Sequence, residues 1–141
     1  MKTKISGDAF EDIVPEIKKA IDRAFTDYIV VTQGKLAKAN PKDTGRMSSS
    51  WYIGKNQRNE SVRPEDWAPK GAKKEVVPKY TGEITFDGAW YLSNNVPYAN
   101  RVATDPLWAK NGEGEASWYE NIVVQMPASL REQFDKQLRN L

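Results

Sequence analysis

The 141-residue sequence contains neither cysteine nor histidine. Without cysteine there is no disulfide framework, no thiolate nucleophile and no Cys-based zinc site. Without histidine the chain lacks the usual general base near neutral pH and the commonest nitrogen ligand for metals, so serine and cysteine triads fall away. An enzyme would have to run on carboxylates or lysine, and no spacing in the sequence makes those groups converge. No reaction, cofactor or metal is therefore expected. A charge excess of either sign is also missing, since 21 Lys and Arg face 19 Asp and Glu for a net charge of +2. That balance is too even to attract nucleic acid through bulk electrostatics. No apolar run approaches membrane-spanning length, so no membrane partner is expected. The opening Met1-Lys2-Thr3-Lys4 is followed by Asp8, Glu11 and Asp12 where a signal peptide needs an apolar stretch, and a cytoplasmic site of synthesis is expected.

What is present is enough to fold. The hydrophobic fraction is 39%, and five Trp, six Tyr and four Phe supply bulky anchors, which excludes the disordered class. A chain of this length fits one domain, here residues 1–141.

Phe10, Ile13, Val14, Ile17, Ile21, Ala24, Phe25, Tyr28 and Ile29 recur at steps of three and four, which predicts one buried helical stripe. The helix should run from about residue 8 to between 32 and 38, with Leu36 extending the stripe past Gly34. Ser6 or Asp8 caps its start, Glu11 and Asp12 suit the positive end of the helix dipole, and Pro15 is tolerable only in the first turns. Asn40-Pro41-Lys42-Asp43-Thr44-Gly45 ends the helix in an ordered turn, because the residue before proline is pushed out of helical geometry. Asp43 and Thr44 are placed to cap a short segment through Arg46 and Met47. Trp51 and Ile53 then alternate with Ser50 and Tyr52 as a strand that Gly54 closes.

Residues 55–78 carry Pro64, Pro69, Gly71 and Pro78 with little periodicity, and read as a long loop or arm inserted in the domain. Lys70, Lys73 and Lys74 make it locally basic. Their first reading is a solvated surface; their second is a contact with DNA or a protein partner. Tyr80, Gly82, Ile84 and Phe86 alternate with polar residues before Asp87-Gly88, which predicts a hairpin returning through residues 89–94 with Trp90 and Leu92 on one face. Tyr98 to Val102 reads as one helical turn. Trp118, Ile122, Met126, Leu130, Phe134 and Leu138 lie four apart on a closing helix, with Glu113 and Glu115 at its start and Pro127 kinking or splitting it. The expected fold is α+β: a long N-terminal helix and a kinked C-terminal helix on an antiparallel sheet of three or four strands.

Asp43, Asp66, Asp87 and Asp105 all sit in turn contexts, where capping explains them better than catalysis. Trp51, Trp90 and Trp118 fall on apolar faces and are assigned to the core. Trp67 and Trp108 fall in loops and are candidate interface anchors, together with Lys70, Lys73 and Lys74.

Pro41-Lys42-Asp43-Thr44-Gly45-Arg46-Met47, followed by Ser50-Trp51 and later by Ser93-Asn94-Asn95-Val96-Pro97-Tyr98-Ala99, resembles the neck or tail-completion proteins that join head to tail in tailed phages. Those proteins share the same layout of long helix, Pro-x-Asp-Thr-Gly-Arg-Leu turn, small sheet, Asn-x-x-Pro-Tyr-Ala segment and closing helix. Relatives often carry an acidic residue and an aromatic-Gly pair soon after Tyr-Ala, where this chain has Arg101-Val102-Ala103-Thr104. The resemblance implies a virion protein: a ring of six or twelve identical subunits between the head-completion (adaptor) protein and the tail terminator protein, with DNA passing through the channel without sequence-specific binding. It also implies structural roles for Pro41, Asp43, Thr44, Gly45 and Arg46 in the turn, and for Pro97, Tyr98 and Ala99 packing against it. The contrasting reading is a small nucleic-acid-binding module that works through the basic loop and its aromatics.

Overall fold

The computed structural model describes residues 7–105 and 117–141, and for residues 7–13 the backbone only. Ser6, Trp108, Glu113 and Glu115 lie outside the described residues, as do the side chains of Asp8, Phe10, Glu11, Asp12 and Ile13. The elements in chain order are α1 (Gly7–Ala39), β1 (Trp51–Lys55), β2 (Trp90–Asn94), α2 (Ala99–Thr104) and α3 (Trp118–Arg139). The class is α+β, with a long helix at one end of the chain, a second helix at the other and a small antiparallel sheet between them.

At 33 residues, α1 is about 50 Å long and exceeds the body of the domain at its N-terminal end. Its apolar stripe is buried only from Ala20 onward, through Ala24, Ile29, Leu36 and Ala37. Val14 at 56% and Ile17 at 37% exposure continue the same stripe along an open groove that Phe86 also lines, which corrects the expectation of one continuous buried face. Pro15 also sits deeper than expected, inside the helix and two turns from its start. The helix ends as the sequence predicts. Asn40 still donates its amide to the Leu36 carbonyl at 3.0 Å, and Pro41 stops the ladder.

The sheet has two strands, with Trp51 opposite Asn94 and Lys55 opposite Trp90. It therefore lacks the third strand expected from the 80–86 alternation. Residues 79–89 form no hairpin with β2, because α1 takes the groups that a partner strand would have bonded. The Thr26 hydroxyl donates to the Ile84 carbonyl at 3.0 Å, and the Phe86 amide donates to Asp22 Oδ1 at 2.8 Å. The Asp87-Gly88 turn does form, with Gly88 at φ +65°, and it leads into β2, where the Ala89 carbonyl accepts from the Asn56 amide just past β1 at 2.6 Å. Gly54 does not close β1 either, since it pairs with Tyr91 and the strand continues to Lys55.

Two apolar clusters hold the layers together. In one, Leu36 and Ala37 of α1 meet Met47, Trp51, Val96, Val102 and Trp118. Tyr119 stacks on Trp51 there, with ring centroids 6.2 Å apart at 14°. In the other, Ile29, Ile53 and Ile84 are surrounded by Phe25, Tyr28, Tyr80, Trp90 and Leu92. Trp51, Trp90 and Trp118 thus pack as assigned from the sequence. The α3 helix runs antiparallel to α1, from Trp118 beside Leu36 to Gln137, whose amide donates to Asp27 at 3.3 Å. Steps of four advance the stripe by about 40° each, so Trp118 is buried at 4% while Leu138 has rotated out to 45%. Pro127 does not split α3. The carbonyl that loses its partner belongs to Val123, which is exposed and open to water.

Asn40 joins helix end to sheet. It is 1% exposed, its Oδ1 accepts from the Trp51 indole N–H at 3.0 Å, and its Nδ2 donates to the Pro41 carbonyl at 2.9 Å. Asn40→Ala strands a buried indole N–H and is expected to cost about 1–3 kcal/mol, read from the urea midpoint. The loss should shrink when Trp51→Phe has already removed the donor. Acid stability offers a second check. Hydrogen bonds from the Thr85 hydroxyl and the Lys55 ammonium hold the Asp87 carboxyl below its ordinary range. Because the folded pKa is depressed, its contribution is present above the unfolded value and lost as pH falls through the folded one. Asp87→Asn should flatten that acid limb in a pH series of denaturation midpoints, leaving stability near neutrality less dependent on pH.

Candidate functional site

The turn at residues 41–50 is where the chain concentrates its polar order. At its start, Lys42 Nζ donates to the Lys38 carbonyl at 2.8 Å and the Asn40 carbonyl at 3.1 Å, closing the end of α1. The same ammonium pairs with Glu75 at 3.1 Å and so brings the arm to the helix end. Thr44 Oγ1 accepts from the Arg46 amide at 3.1 Å, a local cap of the kind expected. Asp43 does something else. Its Oδ1 accepts from the Gly71 amide at 2.7 Å, and its carbonyl accepts from the Lys73 amide at 2.9 Å. The Thr44 carbonyl then accepts from the Lys74 amide at 2.9 Å. Asp43 therefore ties the turn to the arm and is not the cap of its own following segment.

Gly45 has φ +91° and lies directly under the arm. A Cβ there would meet the Lys74 carbonyl oxygen at 2.1 Å and its carbonyl carbon and amide nitrogen at 2.6 Å. Only glycine combines that backbone angle with so close an approach. Next come Ser48, Ser49 and Ser50 at 1%, 0% and 0% exposure. The Ser49 hydroxyl donates to the Lys74 carbonyl at 2.8 Å and accepts from the Val76 amide at 2.9 Å. Ser50 donates to the Arg46 carbonyl at 2.6 Å and accepts from the Arg63 amide at 3.0 Å. Arg46 Nε donates to the Arg63 carbonyl, while Arg63 Nε returns a bond to the Ser49 carbonyl. Among the described residues no buried side-chain nitrogen or oxygen is left without a partner.

The arm is thus clasped to the turn at Arg63 and along residues 71–76, while most of its side chains, those of Lys70, Lys73 and Lys74 included, stay on the exposed surface. Trp67 sits on the clasp. Its indole donates to the Lys74 carbonyl at 3.0 Å, and its ring carries the Arg63 guanidinium at 4.7 Å and the Lys74 ammonium at 4.1 Å. Lys74 is therefore engaged within its own chain, whereas the side chain of Lys70 stands exposed. Asp66 lies in the short turn that the Trp67 amide closes on the Pro64 carbonyl at 3.0 Å.

The second motif is placed differently from expectation. Ala99 packs into the first apolar cluster, but Pro97 and Tyr98 are exposed, and it is Lys74 that occupies the space over Gly45. The connection to the turn runs through Asn94, whose amide donates to the Met47 carbonyl at 2.8 Å, and through buried Val96. Asn95 fastens the arm instead, donating to the Asn59 carbonyl at 2.6 Å. Sequence reasoning passed over Ser48, Ser49 and Arg63, and used Ser50 only as part of a strand pattern and a motif. Three hydroxyls in a row were the available signal, but serines before a strand are ordinarily surface residues.

Chemically, this arrangement spends its donors and acceptors on holding two stretches of one chain together. Among the described residues no group of three or more acidic side chains is placed to hold a metal ion. Comparison with protein-family models, curated proteins and solved structures gives no significant match.

Gly45→Val combines strain at a positive φ with displacement of the Lys74 backbone, and is expected to cost more than about 3 kcal/mol. Gly71→Ala, at φ +79° with no atom within 4 Å of the added methyl group, should cost only about 1 kcal/mol. Chemical denaturation of both variants separates backbone strain from the collision, and equal losses would refute the clasp.

Proposed function

We propose that the chain is a structural subunit of a phage neck, forming a ring of six or twelve copies between the head-completion protein and the tail terminator. The observation that supports this reading is how the Pro-x-Asp-Thr-Gly-Arg motif is used. Asp43, Thr44, Gly45 and Arg46 each contact or bond the arm or their own turn. A motif spent in this way presents a surface at a fixed place, which is what a subunit of a closed assembly requires. Exposed apolar side chains on several elements suit the same role: Val14 on α1, Phe86 beside it, Val76 and Val77 on the arm, and Val124 at 65% on α3. Its place of action in this reading is the virion, at the head-tail junction.

The test is direct. Antibody against the chain should label purified particles in a band between head and tail, and infections in which the chain is not made should accumulate filled heads and separate tails. Normal particles that lack the protein would overturn the proposal. If the isolated chain instead bound DNA with an affinity that fell steeply with salt, the basic-loop reading through Lys70, Lys73 and Lys74 would replace it.

A further inference from the structure

The two edges of the sheet are treated differently. On β1 two outward-facing carbonyls are already occupied: Trp51 accepts from Gln33 Nε2 at 2.8 Å, and Ile53 accepts from Asn59 Nδ2 at 3.2 Å. In an antiparallel ladder, residues directly opposite one another face the same way, both inward or both outward. Asn94 and Leu92 stand opposite Trp51 and Ile53, so their backbone groups point to the far edge of β2. No hydrogen bond reaches those groups among the described residues. Next to β2, an apolar groove of about 330 Å³ runs between α1 and α3, walled by Phe25 and Ile29 of α1, Tyr91 and Leu92 of β2, and Tyr119 and Val123 of α3. An edge of alternating donors and acceptors next to an apolar groove fits an extended peptide backbone with apolar side chains.

The arm supplies such a segment at the opposite side of the sheet. Along residues 74–78 the inward groups alternate: the Lys74 carbonyl is held by Ser49, the Val76 amide by Ser49, the Val76 carbonyl by Arg63 and the Pro78 carbonyl by Gln33. Glu75 and Val77 lie between them, and no hydrogen bond reaches their backbone among the described residues. Pro78 holds Val77 in extended geometry. Val76 and Val77 are 45% and 37% exposed. Among the described residues, one chain thus carries an unfilled strand position at one edge and an extended segment with an unbonded outer side at the other. Two unlike surfaces on opposite edges join copies head to tail, and such contacts close into rings by rotation.

We propose that residues 75–78 of one copy add as a strand to the open edge of β2 in the next copy. This rests on the ring reading above and names the contact that closes it. The absence of native cysteine makes it testable by cross-linking. Val76→Cys and Tyr91→Cys replace exposed side chains on the two edges, which share a face when Glu75 and Val77 pair antiparallel with Leu92 and Trp90, with Val124→Cys on α3 as the control for random collision. On mild oxidation, a mixture of the two single variants should give a covalent heterodimer that neither gives alone, and the double variant should give a ladder of higher species. Dimers formed equally well by Tyr91→Cys alone would mean that β2 pairs with itself, and would overturn the proposal. So would cross-linking no greater than the Val124→Cys control. Particle labelling decides the neck reading independently, so a labelled neck with no cross-link removes only this contact.

Discussion

Where Gly45 passes beneath Lys74, two stretches of backbone approach so closely that one methyl group would collide with the carbonyl oxygen. Everything around the 41–50 turn is arranged to keep that crossing. Asp43 and Thr44 bond the amides of Gly71, Lys73 and Lys74 on one side of it. Ser49 bonds Lys74 and Val76 on the other, and Arg63 threads between. The crossing decides where the arm lies, and the arm in turn buries the three serines and caps the outer edge of β1 through Asn59.

This region is a polar core beside two apolar ones, and its energetics differ accordingly. Each neutral hydrogen bond contributes only about 1 kcal/mol net, whereas a buried donor or acceptor left alone costs about 1–3 kcal/mol. A fully satisfied network is thus modestly stabilising but strongly selective, because partial versions of it are worse than none. The apolar clusters around Trp51 and Ile53 supply the bulk of the driving force, and the clasp specifies one arrangement of a segment that has almost no regular secondary structure. A long irregular segment ordered in this manner offers a rigid surface without the entropy cost of ordering it on contact.

Both edges of the sheet and both helices offer surfaces for the proposed association. The buried part of α1 holds the domain together, and the part before Ala20 continues the same apolar stripe into solvent. The covered edge of β1 and the uncovered edge of β2 make the sheet directional. These asymmetries are what the proposed reading uses: a subunit joined to its neighbours through unlike surfaces.

Helical periodicity determined α1 and α3 from the sequence alone, because a repeat near 3.6 is a local property of the chain. The stop at Pro41, the special backbone of Gly45 and the core placement of Trp51, Trp90 and Trp118 were legible for the same reason: each depends on a residue's own covalent geometry or on the face it occupies. The alternation of Tyr80, Ile84 and Phe86 was equally visible, yet it misled, since alternation shows that one face is buried without saying what lies on the other side of the backbone. Asp22 and Thr26 of α1 took those backbone groups, and no local rule links residues about 60 apart. The clasp was hidden in the same way: that Asp43 would reach Gly71, or that Ser48, Ser49 and Ser50 would be buried, follows only once residues 55–78 fold back over the turn. Pattern along the chain determined the two long helices, the turn after α1 and the segments of β1 and β2; long-range hydrogen bonding, which no local pattern encodes, decided their partners and kept residues 80–86 out of the sheet.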